Sequence, residues 1–163
     1  MRLFTAVVPP ADAVAEVVAA LSGPVPEGWR LVDPATWHLT LAFHGEVEPA
    51  GPVAALDRVA ELPAPRLRVD GAGRFPGVRW ARVVADPPAA LTALVAAVGG
   101  DPDAFVPHLT LLRRRGRRRV AAPRLPPLAG PWWEAREVVL MASELRAGGP
   151  VHTPVHRVVL AGR

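Results

Sequence analysis

Cysteine, tyrosine and lysine are all missing from this chain of 163 residues. Without cysteine there can be no disulfide, no thiolate nucleophile and no cysteine-ligated zinc or iron–sulfur centre. Chemistry therefore has to come from His, Thr, Ser, Arg or carboxylates. Also missing is any uninterrupted apolar run approaching the roughly 18 to 20 residues of a membrane-spanning helix, although half of the residues are apolar. The opening ten residues carry one arginine and a short apolar run that stops at Pro9-Pro10 without a small-x-small cleavage site, so they read as a strand. The expectation is a cytoplasmic monomer with no membrane partner. Its length suits a single domain over residues 1–163, or two small lobes sharing one interface.

What the chain does have is arginine in one place. Arg113, Arg114, Arg115, Arg117, Arg118 and Arg119 supply six positive charges against a net charge of +4, so the remaining residues sum to −2. A local arginine concentration suits a phosphate-bearing partner, because guanidinium forks bind phosphate oxygens in pairs. It is also what G+C-rich coding bias would produce on a solvated loop. Both readings stand for the segment as a whole.

Residues 2–8 alternate as a strand, and Val14, Val17, Val18 and Leu21 recur at helical spacing over 11–21. A short strand at 30–33, a turn at Asp33-Pro34 and a strand at 37–44 follow, then a helix from Pro49 to about Leu62. Residues 66–75 and 78–86 read as a hairpin around Pro76-Gly77, followed by a helix over 88–98 and a strand over 108–112. Two more strands are expected at 135–145 and 151–160, around a turn at 147–150, while 120–131 is too rich in proline to assign. The order of strand, helix and strand thus occurs twice. This predicts a duplicated α+β architecture.

Each half ends on the same tetrapeptide. His-Leu-Thr-Leu begins at His38 and again at His108, 70 residues later. Alternation along a strand sends His38 and Thr40 to one face and Leu39, Leu41 and Phe43 to the other; His108 and Thr110 likewise oppose Leu109 and Leu111. Two such strands side by side make a cleft with two imidazoles and two hydroxyls. In-line displacement at a cyclic phosphodiester needs one group to take a proton from water and another to protonate the leaving oxygen. Histidine serves both roles near neutral pH, and each positioned acid or base contributes about 10²- to 10⁴-fold in rate. The hydroxyls can donate to non-bridging phosphate oxygens.

On these residues the chain resembles the two-histidine (2H) phosphoesterase superfamily, defined by paired His-x-Thr-x motifs, and within it the RNA 2′,3′-cyclic phosphodiesterases once called 2′-5′ RNA ligases. The likeness runs through Arg2-Leu3-Phe4-x-Ala6, the stretch from Trp37 to Glu46, Pro107 to Arg113, and the late strand Val139 to Leu145. It implies a bilobal α+β fold whose antiparallel sheets line a central groove, with helices outside. It implies hydrolysis of RNA 2′,3′-cyclic phosphate ends, tRNA fragments among them, to 2′-phosphates without metal or other cofactor, with 2′-5′ ligation as the reverse reaction. By the same likeness His38 is the general acid, His108 the general base, Thr40 and Thr110 hold the phosphate, and Arg113 contacts the substrate. The local sequence around the two histidines is symmetric and does not itself order acid and base. Where relatives often carry Tyr-Thr-Pro, this chain reads His152-Thr153-Pro154.

The remaining candidates divide. Strict alternation puts Arg113 on the leucine face unless the strand ends or twists first. His44 shares a face with His38 but precedes Gly45, which favours a turn or groove-rim role. His152 and His156 read as surface residues, His152 being the better groove candidate, and Phe4 and Trp132-Trp133 as packing residues. Alternative functions are a phosphodiesterase for small cyclic nucleotides or ADP-ribose cyclic phosphate, and a non-catalytic RNA-binding protein that uses residues 113–119. A zinc hydrolase is disfavoured, since the two motif histidines supply too few ligands and no acidic partner appears at a suitable spacing.

Overall fold

The computed structural model describes residues 2–162. Strand β1 (Arg2–Val7) leads through Pro9-Pro10 into helix α1 (Ala11–Ala20), and the short strand β2 (Trp29–Leu31) precedes β3 (Leu39–Glu46). Helix α2 (Ala50–Asp57) follows, then the hairpin of β4 (Arg66–Phe75) and β5 (Val78–Asp86), helix α3 (Pro88–Ala97) and strand β6 (His108–Arg114). The two-residue strand β7 (Trp133–Glu134) and the hairpin of β8 (Glu137–Arg146) and β9 (Gly149–Val159) complete the order. Gly77 takes a left-handed φ of +70° in the β4–β5 turn, where a side chain would be strained.

The strands join in one curled antiparallel sheet, ordered β7-β4-β5-β6-β3-β1-β8-β9, with β2 pairing along the far end of β6. Outward from the β6–β3 junction, β5 on one side answers β1 on the other, and β4 answers β8. Each half contains a strand–helix–strand unit, β1–α1–β3 and β5–α3–β6, so the repeat read from the sequence is present in the sheet order. The two His-x-Thr-x segments lie at its centre as direct neighbours, registered at Leu39↔Leu109.

One face of the sheet carries the core. Leu39, Leu41, Leu109 and Leu111 are at most 3% exposed and pack in one cluster with Val17, Leu56, Leu91, Leu94 and Val95 from the three helices. Full burial of each such leucine contributes about 1.5–3 kcal/mol, which fixes which face of β3 and β6 turns inward and leaves the histidine face open. β1, flanked by β3 and β8, is buried at every residue from Leu3 to Val7, the pattern of a strand covered on all sides. No helix among the described residues is long and apolar enough to cross a membrane.

Boundaries differ in places. The helix expected to Leu62 is α-helical only to Asp57 and tightens into a 3₁₀ turn over Arg58–Glu61. Residues 120–131 form no strand and run beside β4, held by Gly71 N–H to Leu128 O (2.8 Å) and Gly130 N–H to Val69 O (3.0 Å). β8 and β9 are joined through Ala147-Gly148, a tighter turn than the four residues expected.

Candidate active site

The Leu39↔Leu109 pair fixes the centre of the open face. His38 and Thr40 flank Leu39, His108 and Thr110 flank Leu109, and all four line one groove of about 670 Å³. That is room for a nucleotide. The two imidazoles are held alike: His38 Nδ1 lies 2.8 Å from Thr36 O, and His108 Nδ1 lies 2.6 Å from Val106 O. A carbonyl only accepts, so Nδ1 carries the hydrogen in each ring and Nε2 is left free for proton transfer.

Each ring also has an aromatic backing. Phe4 packs 4.8 Å from His38, while Phe75 and Trp80 lie 5.1 and 5.6 Å from His108. Trp80 can lie flat there because its cross-strand partner is Gly73, where any Cβ would overlap the indole. His152 completes the wall, edge-on to His38 at 5.2 Å and to Phe4 at 5.0 Å. Phe4 is therefore buried, as expected of a packing residue, and also a wall of the groove.

Alternation alone misplaces three residues, and unpaired extra residues in β3 and β6 explain them. Ala6 pairs with Thr40 and Thr5 with Ala42, so Leu41 is an unpaired extra residue in β3. In β6, Trp80 pairs with Thr110 and Arg79 with Leu112, which leaves Leu111 as the extra residue. A bulge shifts the facing of every later side chain. Phe43, expected on the leucine face, is 81% exposed and lines the groove. Arg113 likewise returns to the groove. His44, expected to share the face of His38, is a second unpaired residue in β3 and is not among the groove-lining residues; its Nε2 meets the buried Thr5 hydroxyl at 2.8 Å.

The electrostatics are those of a positive groove. Arg2, Arg30 and Arg113 line it, with Asp33 as the one carboxylate among the described lining residues. Burial lowers the pKa of His38 below the ordinary imidazole value, and the nearby His152, His108 and Arg113 push the same way, against the raising effect of the Thr36 carbonyl. Burial also lowers His152. No group of three or more His, Asp or Glu side chains placed to hold a metal ion occurs among the described residues.

Of the arginine segment only Arg113 reaches the groove; Arg114, Arg115, Arg117, Arg118 and Arg119 are exposed outside it. Trp132 stands half-exposed with Arg66 and Arg68 over its ring at 4.8 and 5.1 Å, and Trp133 packs against the core. His156 is paired with Asp57 at 2.6 Å. Arg2, Arg30, Phe43 and Ser143 are groove residues that sequence reasoning did not single out. For Phe43 a signal existed, because it is the fifth residue after His38 just as Arg113 is the fifth after His108.

Residues 7–85 match the family described as LigT-like phosphoesterase. The RNA 2′,3′-cyclic phosphodiesterase of Thermus thermophilus is 36% identical over 185 aligned positions, which cover 99% of this chain and 91% of that protein. A solved protein of the same organism superimposes with a TM-score of 0.79 at 36% identity, covering 99% of both chains. E. coli LigT, solved in complex with 3′-AMP, gives a TM-score of 0.74 at 30% identity and covers 98% of this chain and 96% of its own.

Proposed function

The chain belongs to the LigT-like phosphoesterase family of the 2H superfamily, and from that premise we propose that it hydrolyses RNA 2′,3′-cyclic phosphate ends to 2′-phosphates. The observation that carries this reading is the matched pair of imidazoles, each tied through Nδ1 to the carbonyl two residues before it and each facing one groove with a threonine beside it. The chain is read as one domain, residues 1–163, made of two pseudo-symmetric lobes that each contribute one histidine and one threonine.

In the proposed reaction the cyclic phosphate sits over the Leu39–Leu109 pair, its non-bridging oxygens accepting hydrogen bonds from the Thr40 and Thr110 hydroxyls and from Arg113. His108 Nε2 takes a proton from a water that attacks phosphorus in line. The P–O3′ bond breaks, and His38 Nε2–H protonates the departing 3′ oxygen. The product is a 2′-phosphomonoester beside a free 3′-hydroxyl, and a second proton exchange with water resets both rings. The acid role of His38 follows the family resemblance. Burial in the free groove acts against it by disfavouring the imidazolium, whereas an anionic phosphate beside the ring favours the charged form. A 5′-hydroxyl in place of water gives 2′-5′ ligation by the same displacement.

The test is product analysis after incubation with a short RNA ending in a 2′,3′-cyclic phosphate, with EDTA present. Appearance of the 2′-phosphate alone is expected. A 3′-phosphate product, or no conversion by folded protein, contradicts the reading.

A further inference from the structure

We propose that Arg30, with Arg113 bridging to it from the reacting phosphate, forms a second phosphate subsite, which holds a phosphate on the 5′ oxygen of the terminal nucleotide and so favours RNA ends over bare cyclic mononucleotides. This rests on the phosphodiesterase reading of the groove.

β2 is only three residues long, yet it is fixed firmly. Arg115 N–H bonds Gly28 O (2.7 Å) and Val32 N–H bonds Leu111 O (2.8 Å) on either side of it. Trp29 is 5% exposed, its indole N–H bonded to Ala121 O at 3.2 Å and its ring covered by the Arg79 guanidinium at 4.9 Å. The effect of this anchoring is to set Arg30 directly across from Arg113, in register.

Like charges directly opposite on adjacent strands repel. Burial and the charge of Arg30 both act to lower the pKa of Arg113. Neither guanidinium makes a salt bridge among the described residues. Asp33, the lining carboxylate, accepts the Ala35 amide at 3.0 Å. Two guanidiniums that face one groove without an acidic partner are relieved by an anion between them, and their planar forks match phosphate oxygens.

Position decides which phosphate. Arg113 lies three strand steps beyond Leu109 once the bulge at Leu111 is discounted, about 10 Å along β6 at the usual rise. Arg113 and Arg30 face each other at the far end of β6, where β2 takes the place of β3 as its neighbour, so Arg30 lies beyond the four central side chains. The reacting phosphate already has two hydroxyls, two imidazoles and Arg113, whose side chain lies between the two phosphates. An outer guanidinium suits the next phosphate along, one ribose away, which a cyclic mononucleotide lacks.

The experiment compares kcat/KM for 2′,3′-cyclic AMP, its 5′-phosphorylated form and a dinucleotide ending in a cyclic phosphate, using wild type, Arg30→Ala and Arg30→Lys. Wild type is expected to favour both phosphate-bearing substrates over 2′,3′-cyclic AMP by about tenfold to hundredfold, the range of a charge-assisted hydrogen bond. Arg30→Ala is expected to bring that ratio close to one through KM, and Arg30→Lys to restore part of it. A preference for the dinucleotide alone would move the subsite's ligand from a terminal phosphate to the adjoining nucleotide and overturn the proposal as stated. A ratio unchanged in Arg30→Ala, whether all three rates fall together or none falls, also overturns it. If wild type turns over none of the three, it is the phosphodiesterase reading that fails. Calorimetric binding of 5′-AMP then tests the subsite directly: loss of binding in Arg30→Ala supports it, and equal binding contradicts it.

Discussion

Phe43 and Arg113 occupy the same point in the two halves of the sheet. Each is the fifth residue after its histidine, and each reaches the groove because the leucine between is an extra residue, Leu41 without a partner on β1 and Leu111 without one on β5. The duplicated scaffold thus delivers an aromatic ring on one side of the histidine pair and a guanidinium on the other. Arg113→Ala is expected to lower kcat/KM on a cyclic-phosphate RNA end by about tenfold to hundredfold. Arg113→Lys should recover only part, since a lysine lacks the paired donors. Unaltered steady-state kinetics in Arg113→Ala would show that the residue makes no contact with substrate.

Trp80 backs His108 only because Gly73 leaves room for it. Gly73→Val is expected to displace the indole and to cost about 1–3 kcal/mol, the usual penalty for overpacking, read from urea unfolding. It should also depress kcat through misplacement of His108. A variant as stable and as active as wild type would mean that the indole relocates without disturbing the imidazole.

The leucine face of the two motifs is core. Leu109→Ala, at a site 1% exposed in the middle of the sheet, should destabilise the fold by about 2–5 kcal/mol in the same measurement. A loss below about 1 kcal/mol would indicate that the strand is not held by this packing.

His38 has its pKa lowered by burial, so the folded protein binds its proton less readily than the unfolded chain does. With a depressed folded value, stability is complete above the unfolded imidazole value of about 6.5 and is lost as pH falls through the lower folded value. Unfolding midpoints should therefore drop between about pH 7.5 and pH 5, and by less in His38→Gln. An NMR titration should place the His38 midpoint below the ordinary value in the free protein and raise it when inorganic phosphate fills the groove. A midpoint at or above the ordinary value without ligand would contradict the burial seen here.

Much of this was legible in the sequence. Alternation and apolar spacing located β1, β3, the β4–β5 hairpin, α3 and β6, because each segment buries one face or all of itself and is written accordingly. The repeated His-Leu-Thr-Leu identified the four central side chains. What alternation could not reveal was the bulges in β3 and β6, since an extra residue leaves no mark in composition yet changes the facing of Phe43, His44 and Arg113. Arg30 was hidden for another reason: its place opposite Arg113 comes from the pairing of a three-residue strand more than 80 residues away in sequence. β7, two residues long, is too short to carry a periodicity.

The most direct measurement is single-turnover hydrolysis of a cyclic-phosphate RNA end by wild type, His38→Ala, His108→Ala and the double variant, with folding verified for each. If the two imidazoles act as a unit on one phosphate, each single variant should lose at least about 10²-fold. The double variant should then fall little below the slower single one, because groups that act together are not additive. A single variant that keeps the wild-type rate, or two losses that simply multiply, would contradict a shared reaction centre at His38 and His108.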